Sequence, residues 1–373
     1  MLNYFMNKSK IPVFLILFSS MFFWVNSQDH MTKLLQFAQN YEIPLSAQKP
    51  AWAEFSESEL LFSVAWFSDF HLADDESEMQ VKAALKQVRD EIKPELIFIT
   101  GDNCGQPLRR LPKENPEQAL SLKRQLWLKD FLDREINCEY FIIPGDNWPW
   151  DFEKVFGAEK RSFTYAGFHF LFTTPDEQAM NKEGCSIFHQ DSLQWMEKQI
   201  AANKDKPSFL ILHEPVYPPT FLDAPILRTM LDNNPQIHAV LSGHLHLDLE
   251  FSSRHWQQFC CPAIGRSHNP GFKILYFTKE KIIINSSEWQ KDTKTFACVE
   301  KWQKIDIPEE FQGAIETKSA TEKFAVKNIQ EMPPKARIKN EALTERFSEI
   351  SNNNMSFLME MFFSKMLKPP VAN

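Results

Sequence analysis

The sequence predicts an α/β layer fold, and three observations carry the prediction. Short runs rich in β-branched and aromatic residues, roughly four to eight long, alternate with segments whose apolar residues recur at the helical period. Each run is apolar throughout, as in strands buried on both faces; a half-exposed strand would alternate. Of the 373 residues, 43% are apolar and 13% aromatic, enough core to exclude a disordered or fibrous chain.

In chain order, residues 1–27 read as a signal peptide: Lys8 and Lys10 precede an apolar stretch over 11–25, and Val25-Asn26-Ser27 suits cleavage before Gln28. The stretch is shorter than the roughly 20 residues of a bilayer span. A secreted or periplasmic protein is therefore expected, with membrane contact only if the segment stays uncleaved. Residues 28–58 form a lead-in with a short helix over 32–39. A strand at 61–67, a helix at 76–91, started by Asp74, Asp75 and Glu76, a strand at 96–100, a helix near 118–134 and a strand at 140–143 follow. A hairpin over 163–173 turns at Ala166-Gly167. Next come a helix at 191–202, a strand at 209–212, a helix near 224–231 and a strand at 237–241. Strand-like segments lie around Phe251 and Phe259 and at 274–277 and 282–284. These elements define a catalytic domain over 59–290. Residues 291–373 turn to Lys, Glu, Thr and Asn and read as a partly helical C-terminal extension. Within it Phe357, Leu358, Met361 and Phe362 share a helix face, expected to dock on the core, with a second copy or a membrane as alternatives. No internal repeat is evident.

The 41 Lys and Arg against 49 Asp and Glu give a net charge of -8, and loss of two lysines with the leader leaves 39 against 49, or -10. An acidic chain is no general nucleic-acid binder, so duplex nucleic acid is not an expected partner. Six cysteines suit one to three disulfides of undetermined pairing in an oxidising compartment. No Cys-x-x-Cys occurs, which excludes a zinc ribbon or a thioredoxin-type site.

The chemistry lies where the apolar runs stop. They lead into Ser68-Asp69-Phe70-His71, Gly101-Asp102-Asn103, Pro144-Gly145-Asp146-Asn147, His213-Glu214-Pro215 and Ser242-Gly243-His244-Leu245-His246. Ligands of layered α/β folds gather beyond the carboxyl ends of their strands. In an extended strand, residues i and i+2 point to one side, so Asp69 with His71 and His244 with His246 can each face one point. Three carboxylates and four imidazoles form a mixed N/O set suited to Mn, Fe, Zn or Co and not to Ca or Mg. Seven ligands are too many for one ion, whereas two ions about 3.5–4 Å apart can clamp the attacking and leaving oxygens at phosphorus.

In their order over residues 61–289, Asp69-x-His71, Gly101-Asp102, Gly145-Asp146-Asn147, His213 and Gly243-His244-x-His246 resemble the five motifs of the calcineurin-like metallophosphoesterase superfamily. The resemblance implies a four-layer α/β/β/α sandwich of two mixed sheets flanked by helices, with two divalent transition-metal ions between the sheets. Asp69, His71 and His246 would hold the first ion, Asp146, His213 and His244 the second, and Asp102 would bridge. A hydroxide bridging both ions would be the nucleophile, and Asp102, Asn147 and His213 are the candidate catalytic residues. The implied activity is hydrolysis of small phosphate esters, diesters or nucleotides. Nucleotide or sugar-nucleotide pyrophosphatase activity, or a non-catalytic metal-binding protein, are the alternatives.

The third motif departs from the family's Gly-Asn-His. Asp146 replaces the amide ligand, and Asn147, which cannot supply a proton near neutral pH, replaces a His that assists the leaving group or steadies the phosphate. A register shift would instead make Asn147 the ligand beside Trp148. Gly105 stands where purple acid phosphatases carry a metal-bound Tyr, and no Asp-Arg-Gly follows the bridging Asp, which argues against a ferric tyrosinate and a phosphoprotein substrate. Trp66, Phe70, Trp148, Trp150 and Tyr217 lie beside the motifs and read as packing or stacking residues, Arg109 and Arg110 as a solvated loop or phosphate contacts. His169, His189, His238, His255 and His268 read as structural.

Overall fold

A computed structural model describes residues 42–104, 116–146, 150–176, 186–253, 255–265, 267–317 and 323–333. The chain separates into two compact units, residues 1–42 and 43–373, and apart from Glu42 the described residues belong to the second. The expected signal peptide, the helix at 32–39 and the apolar block at 357–366 lie outside the described residues.

The first half runs β1 (Phe62–Phe67), α1 (Asp75–Gln87), β2 (Leu96–Ile99), α2 (Pro116–Glu135), β3 (Glu139–Ile142), α3 (Phe152–Phe156), β4 (Arg161–Tyr165) and β5 (Phe168–Phe172). The second half runs α4 (Gln190–Ala202), β6 (Ser208–Ile211), α5 (Ala224–Asp232), β7 (Ile237–Ser242), β8 (Leu249–Ser252), β9 (Gln257–Cys260), β10 (Gly271–Phe277), β11 (Lys281–Gln290), β12 (Thr295–Asp306), α6 (Glu309–Gln312) and β13 (Lys327–Glu331). One sheet has the order β12-β11-β10-β1-β2-β3 and the other β13-β4-β5-β6-β7-β9-β8. Both are mixed. β1, β2 and β3 are mutually parallel while β10 joins β1 antiparallel; β5, β6, β7 and β9 are parallel while β4 joins β5 antiparallel.

The pleat sorts each apolar run into two layers. Phe62, Val64 and Trp66 of β1, Phe98 of β2, Phe168, Phe170 and Phe172 of β5 and Phe209 of β6 fill the core between the sheets. Ala65 and Phe67 of β1 and Ile97 and Ile99 of β2 face outward under Val81 and Leu85 of α1 and Leu128 and Phe131 of α2. Leu171 of β5, Leu210 of β6 and Val240 of β7 face the other way, under Met196 of α4 and Leu227 of α5. Two sheets face to face with helices outside are the four-layer α/β/β/α sandwich expected. Many of the 33 phenylalanines serve this middle layer; Phe98 meets Phe172 edge-on at 5.0 Å and 90°, a geometry worth about 0.5–1.5 kcal/mol beyond burial. α1 starts in a capping box: Ser77 N donates to Asp74 Oδ1 at 2.8 Å, and Asp74 N to Ser77 Oγ at 3.1 Å.

The layered domain does not stop at residue 290. β12, within the expected extension, pairs antiparallel with β11, and β13 pairs with β4 at the edge of the other sheet. Both are outer strands: β13 is wholly exposed, and β12 is partly exposed and mixes Phe296, Val299, Trp302 and Ile305 with charged residues, so neither shows the continuous apolar run of the inner strands. The one helix described in this region, α6, is four residues long. The expectation of disulfides is not met among the described residues, for Cys104, Cys138, Cys260, Cys261 and Cys298 are all free. Three of them are buried as small apolar side chains, and burial pushes the thiols of Cys104 and Cys260 up to about 12, which keeps them protonated.

Candidate metal centre

Because β1, β2 and β3 are parallel, as are β6 and β7, their carboxyl ends present five loops along adjoining sheet edges. Asp69 and His71 follow β1, Asp102 follows β2, Asp146 follows β3, His213 follows β6, and His244 and His246 follow β7. The expected pleat geometry does not bring them together. The strands end at Phe67 and Ser242, and Asp69, His71, Asp102, His244 and His246 all have left-handed backbones, with φ of 52°, 42°, 49°, 66° and 61°. Such conformations cost an L-residue about 1–2 kcal/mol each and persist only where the surroundings hold them. Here the loops hold one another: Asp69 N donates to Gly101 O at 3.0 Å, His71 N to Asp102 O at 2.9 Å and Gly243 N to His213 O at 2.9 Å.

The seven predicted residues converge as two clusters linked by a third group, Asp69, Asp102 and His213. Asp69, His71 and His246 form one and Asp146, His213 and His244 the other, with each cluster's ligand atoms within 4.8 Å of one another. Asp102 sits between them: its Oδ2 lies 3.7 Å from His71 Nε2 and its Oδ1 3.4 Å from His213 Nε2. His71 Nε2 and His246 Nε2 face each other at 3.0 Å, and Asp69 Oδ1 lies 3.2 Å from His246 Nε2. Asp146 Oδ1 is 3.3 Å from His213 Nε2 and 3.5 Å from His244 Nδ1. Neighbouring groups aim these atoms. Ser68 Oγ, at 2.6 Å, and His244 N, at 2.9 Å, both donate to Asp69 Oδ2, which turns Oδ1 toward the imidazoles. His213 Nδ1 donates to Thr100 O at 2.8 Å, leaving Nε2 as the ring atom on the acids.

The donor set fits divalent ions on its own chemistry. Asp69 Oδ1, the oxygen that faces His71 and His246, is buried without a hydrogen-bond partner, and buried polar atoms are normally satisfied. Burial opposes the Asp69 charge, yet His246 and His213 hold its carboxyl well below the usual carboxylate range. Burial also opposes charging His213, yet Asp102 and Asp69 raise its ring well above the ordinary imidazole value. The cluster thus behaves as a concentrated negative field that a cation would neutralise. Close approach needs glycine: a Cβ on Gly145 would lie 1.9 Å from Asp102 Oδ1 and 2.2 Å from Asp102 N, and one on Gly243 would lie 1.7 Å from Ser68 Oγ and 2.6 Å from Asp69 Oδ2.

Glu214, absent from the sequence-based site, is buried beside His213 and takes a hydrogen bond from Ser186 Oγ at 3.0 Å. Burial and the nearby Asp146 push its carboxyl up to about 8. Its signal was its place at the end of an apolar run, the same cue that marked its neighbour. Asn147, Trp148, Arg109 and Arg110 lie outside the described residues. Trp66 is a packing residue, fully buried with Nε1 donating to Thr100 Oγ1 at 3.1 Å, and Phe70 belongs to the outer core. Tyr217 is half-buried, edge-on to Phe251, with the Arg228 guanidinium 5.4 Å from its ring. His169 lies between Ser162 and Ser208, where burial pushes it down to about 3, and His238 packs on Phe311 and is pushed by burial to about 4. Both stay neutral. His189 precedes α4, and His255 and His268 are exposed.

A dimetal phosphatase from Danio rerio has a similar fold, with a TM-score of 0.54 at 11% identity over 67% of this chain and 100% of that one. The anchor of the Plasmodium inner membrane complex, GAP50, matches with a TM-score of 0.50 at 13% identity over 66% of this chain and 89% of its own. Identities this low speak to the fold alone. No curated protein matches by sequence. The sequence pattern of the calcineurin-like phosphoesterases matches residues 62–248, which span all five loops of the centre. The family and the two N/O clusters together indicate divalent metal ions, and the chain belongs to the calcineurin-like phosphoesterase family.

Proposed function

We propose that the protein is a dinuclear metal-dependent hydrolase of small phosphate esters, diesters or nucleotides, exported after cleavage near Ser27. The observation that carries the reading is Asp102, whose two carboxylate oxygens face two different N/O clusters. Asp69, His71 and His246 would hold one ion, Asp146, His213 and His244 the other, with Asp102 shared. Bound there, divalent ions supply Lewis-acid charge to a phosphoryl oxygen and lower the pKa of a water from about 15.7 to about 7. The chain's part is positioning. Ser68 and the His244 N–H orient Asp69, and the Thr100 carbonyl fixes the His213 tautomer. Three carboxylates leave little net charge once two divalent ions and a hydroxide are added, a balance suited to receiving an anionic ester. Asn147 in place of the family's His motivates the rival reading, a metal-binding protein without turnover. Pyrophosphatase action on nucleotides or sugar nucleotides is the rival within enzymes.

Metal-free protein loaded in turn with Mn, Zn, Fe or Co and offered bis-p-nitrophenyl phosphate, p-nitrophenyl phosphate and a nucleoside diphosphate sugar separates these readings. Turnover of the diester or monoester with a transition metal, absent in the metal-free protein, supports the esterase. Turnover of the diphosphate sugar alone supports the pyrophosphatase. Two bound ions with no turnover on any substrate would refute catalysis.

A further inference from the structure

Lys273 is 0% exposed in the middle of β10, an otherwise apolar strand, and a buried ammonium is costly unless every proton is met. Here it is met three times: Nζ donates to Asp248 Oδ1, to Gln303 Oε1 at 2.6 Å and to Ser286 Oγ at 3.4 Å. Asp248 is itself buried, and its Oδ2 accepts from Ser286 Oγ at 2.7 Å. Gln303 Nε2 continues the chain to Glu250 Oε2 at 3.1 Å.

The placement gives this network a task. Lys273, Ser286 and Gln303 belong to β10, β11 and β12 of one sheet, whereas Glu250 is in β8 of the other and Asp248 immediately precedes that strand. Asp248 is the second residue after His246, and Lys273 is the register partner of Trp66, three residues before Asp69. A closed path therefore runs from Asp69 back along β1, across to Lys273, through the ion pair to Asp248 and on to His246, whose Nε2 returns to Asp69 Oδ1 at 3.2 Å. His246 also has a left-handed backbone, φ 61°, that must be held from outside. His244 lies two residues further along and is tied instead to Asp69 through its own N–H.

We infer that the Lys273–Asp248 pair, backed by Ser286 and Gln303, is a positioning device for His246, and so tunes the Asp69/His71/His246 cluster and not its neighbour. The inference rests on the metal-centre reading. Groups behind a ligand that set its orientation change metal affinity by about 10–100-fold.

The test is a calorimetric cobalt(II) titration of the full chain, run in two backgrounds that each leave one cluster intact. His244→Ala leaves Asp69/His71/His246, and His246→Ala leaves Asp146/His213/His244. Into each is placed the double change Lys273→Met with Asp248→Asn, which removes both charges together and strands neither. Affinity in the His244→Ala background should fall 10–100-fold, while in the His246→Ala background it should change by less than about 3-fold. Equal losses in both would mean a purely structural brace, and no loss in either would mean no coupling; each overturns the inference. Where the double change does not fold, Ser286→Ala, which keeps the ion pair and removes one bond to Asp248, should give a smaller loss confined to the same background. An equal loss in both backgrounds, or none, refutes the inference there too. A parent chain that binds no cobalt would refute the metal-centre reading itself.

Discussion

Gly145→Ala isolates how much the centre depends on close backbone approach. The added Cβ would lie 1.9 Å from Asp102 Oδ1, 2.2 Å from Asp102 N and 2.7 Å from Asp102 Cγ, in a region where real Cβ contacts begin near 3.0 Å. The carboxylate oxygen could swing away, but the backbone nitrogen cannot, because Asp102 O is tied to His71 N at 2.9 Å and its left-handed φ of 49° has little slack. The two loops must therefore separate by about 1 Å. Overpacking of this kind costs about 1–3 kcal/mol of stability, and a displacement of about 1 Å in a reacting constellation costs about 10²-fold in rate. The displaced residue faces both clusters, so binding at both should weaken together. Thermal melting of the metal-free variant reads the first effect; titration with manganese and hydrolysis of bis-p-nitrophenyl phosphate read the second. A variant that binds two ions as tightly as the parent and hydrolyses the diester within about 3-fold of it would refute the claim that Gly145 sets Asp102.

Asp102→Asn keeps one oxygen but turns an NH₂ toward the other cluster, so both ions should be lost on elemental analysis, whereas Asp146→Asn should lose at most one. Chelation should lower the melting temperature, since an ion at about 100 times its Kd adds about 2.7 kcal/mol to the folded state; an unchanged melt after chelation would contradict a shared negative cage. With Asn147 in place of a proton donor, log(kcat/KM) for substituted phenyl and alkyl esters should fall steeply with leaving-group pKa, and general-acid help worth about 10²–10⁴-fold should be missing. A flat slope would reveal another donor. N-terminal sequencing of the native protein should begin at Gln28, and an intact Met1 would contradict export.

Local patterning determined most of the fold. Runs such as residues 61–67 and 209–212 are apolar on both faces, and their odd and even residues fall in different layers, so burial and layering are consequences of the pleat and of composition. The Asp and His residues at the run ends were legible for the same reason, since parallel strands bring their carboxyl ends to one side wherever they pair. What pairs, and how the chain turns after pairing, is another matter. The left-handed turns at five of the seven site residues depend on bonds such as Asp69 N to Gly101 O, made across loops that sequence does not show to be neighbours. β12 and β13 lie at sheet edges and are not apolar throughout, and such a stretch carries no sign of the strand beside it. Lys273, just before the expected strand at 274–277, gives no sign of a partner until the second sheet brings Asp248 against it, and Glu214 none of its raised pKa, about 8, until burial and Asp146 act on it. The sequence by itself determined which apolar runs are buried and which chemistry stands at the strand ends, because solvent transfer and backbone periodicity act on each residue locally. Only the tertiary structure decided the handedness of the ligand turns, the placing of Asp102 between His71 and His213 and the partner of Lys273, because each depends on a distance between residues far apart in the chain.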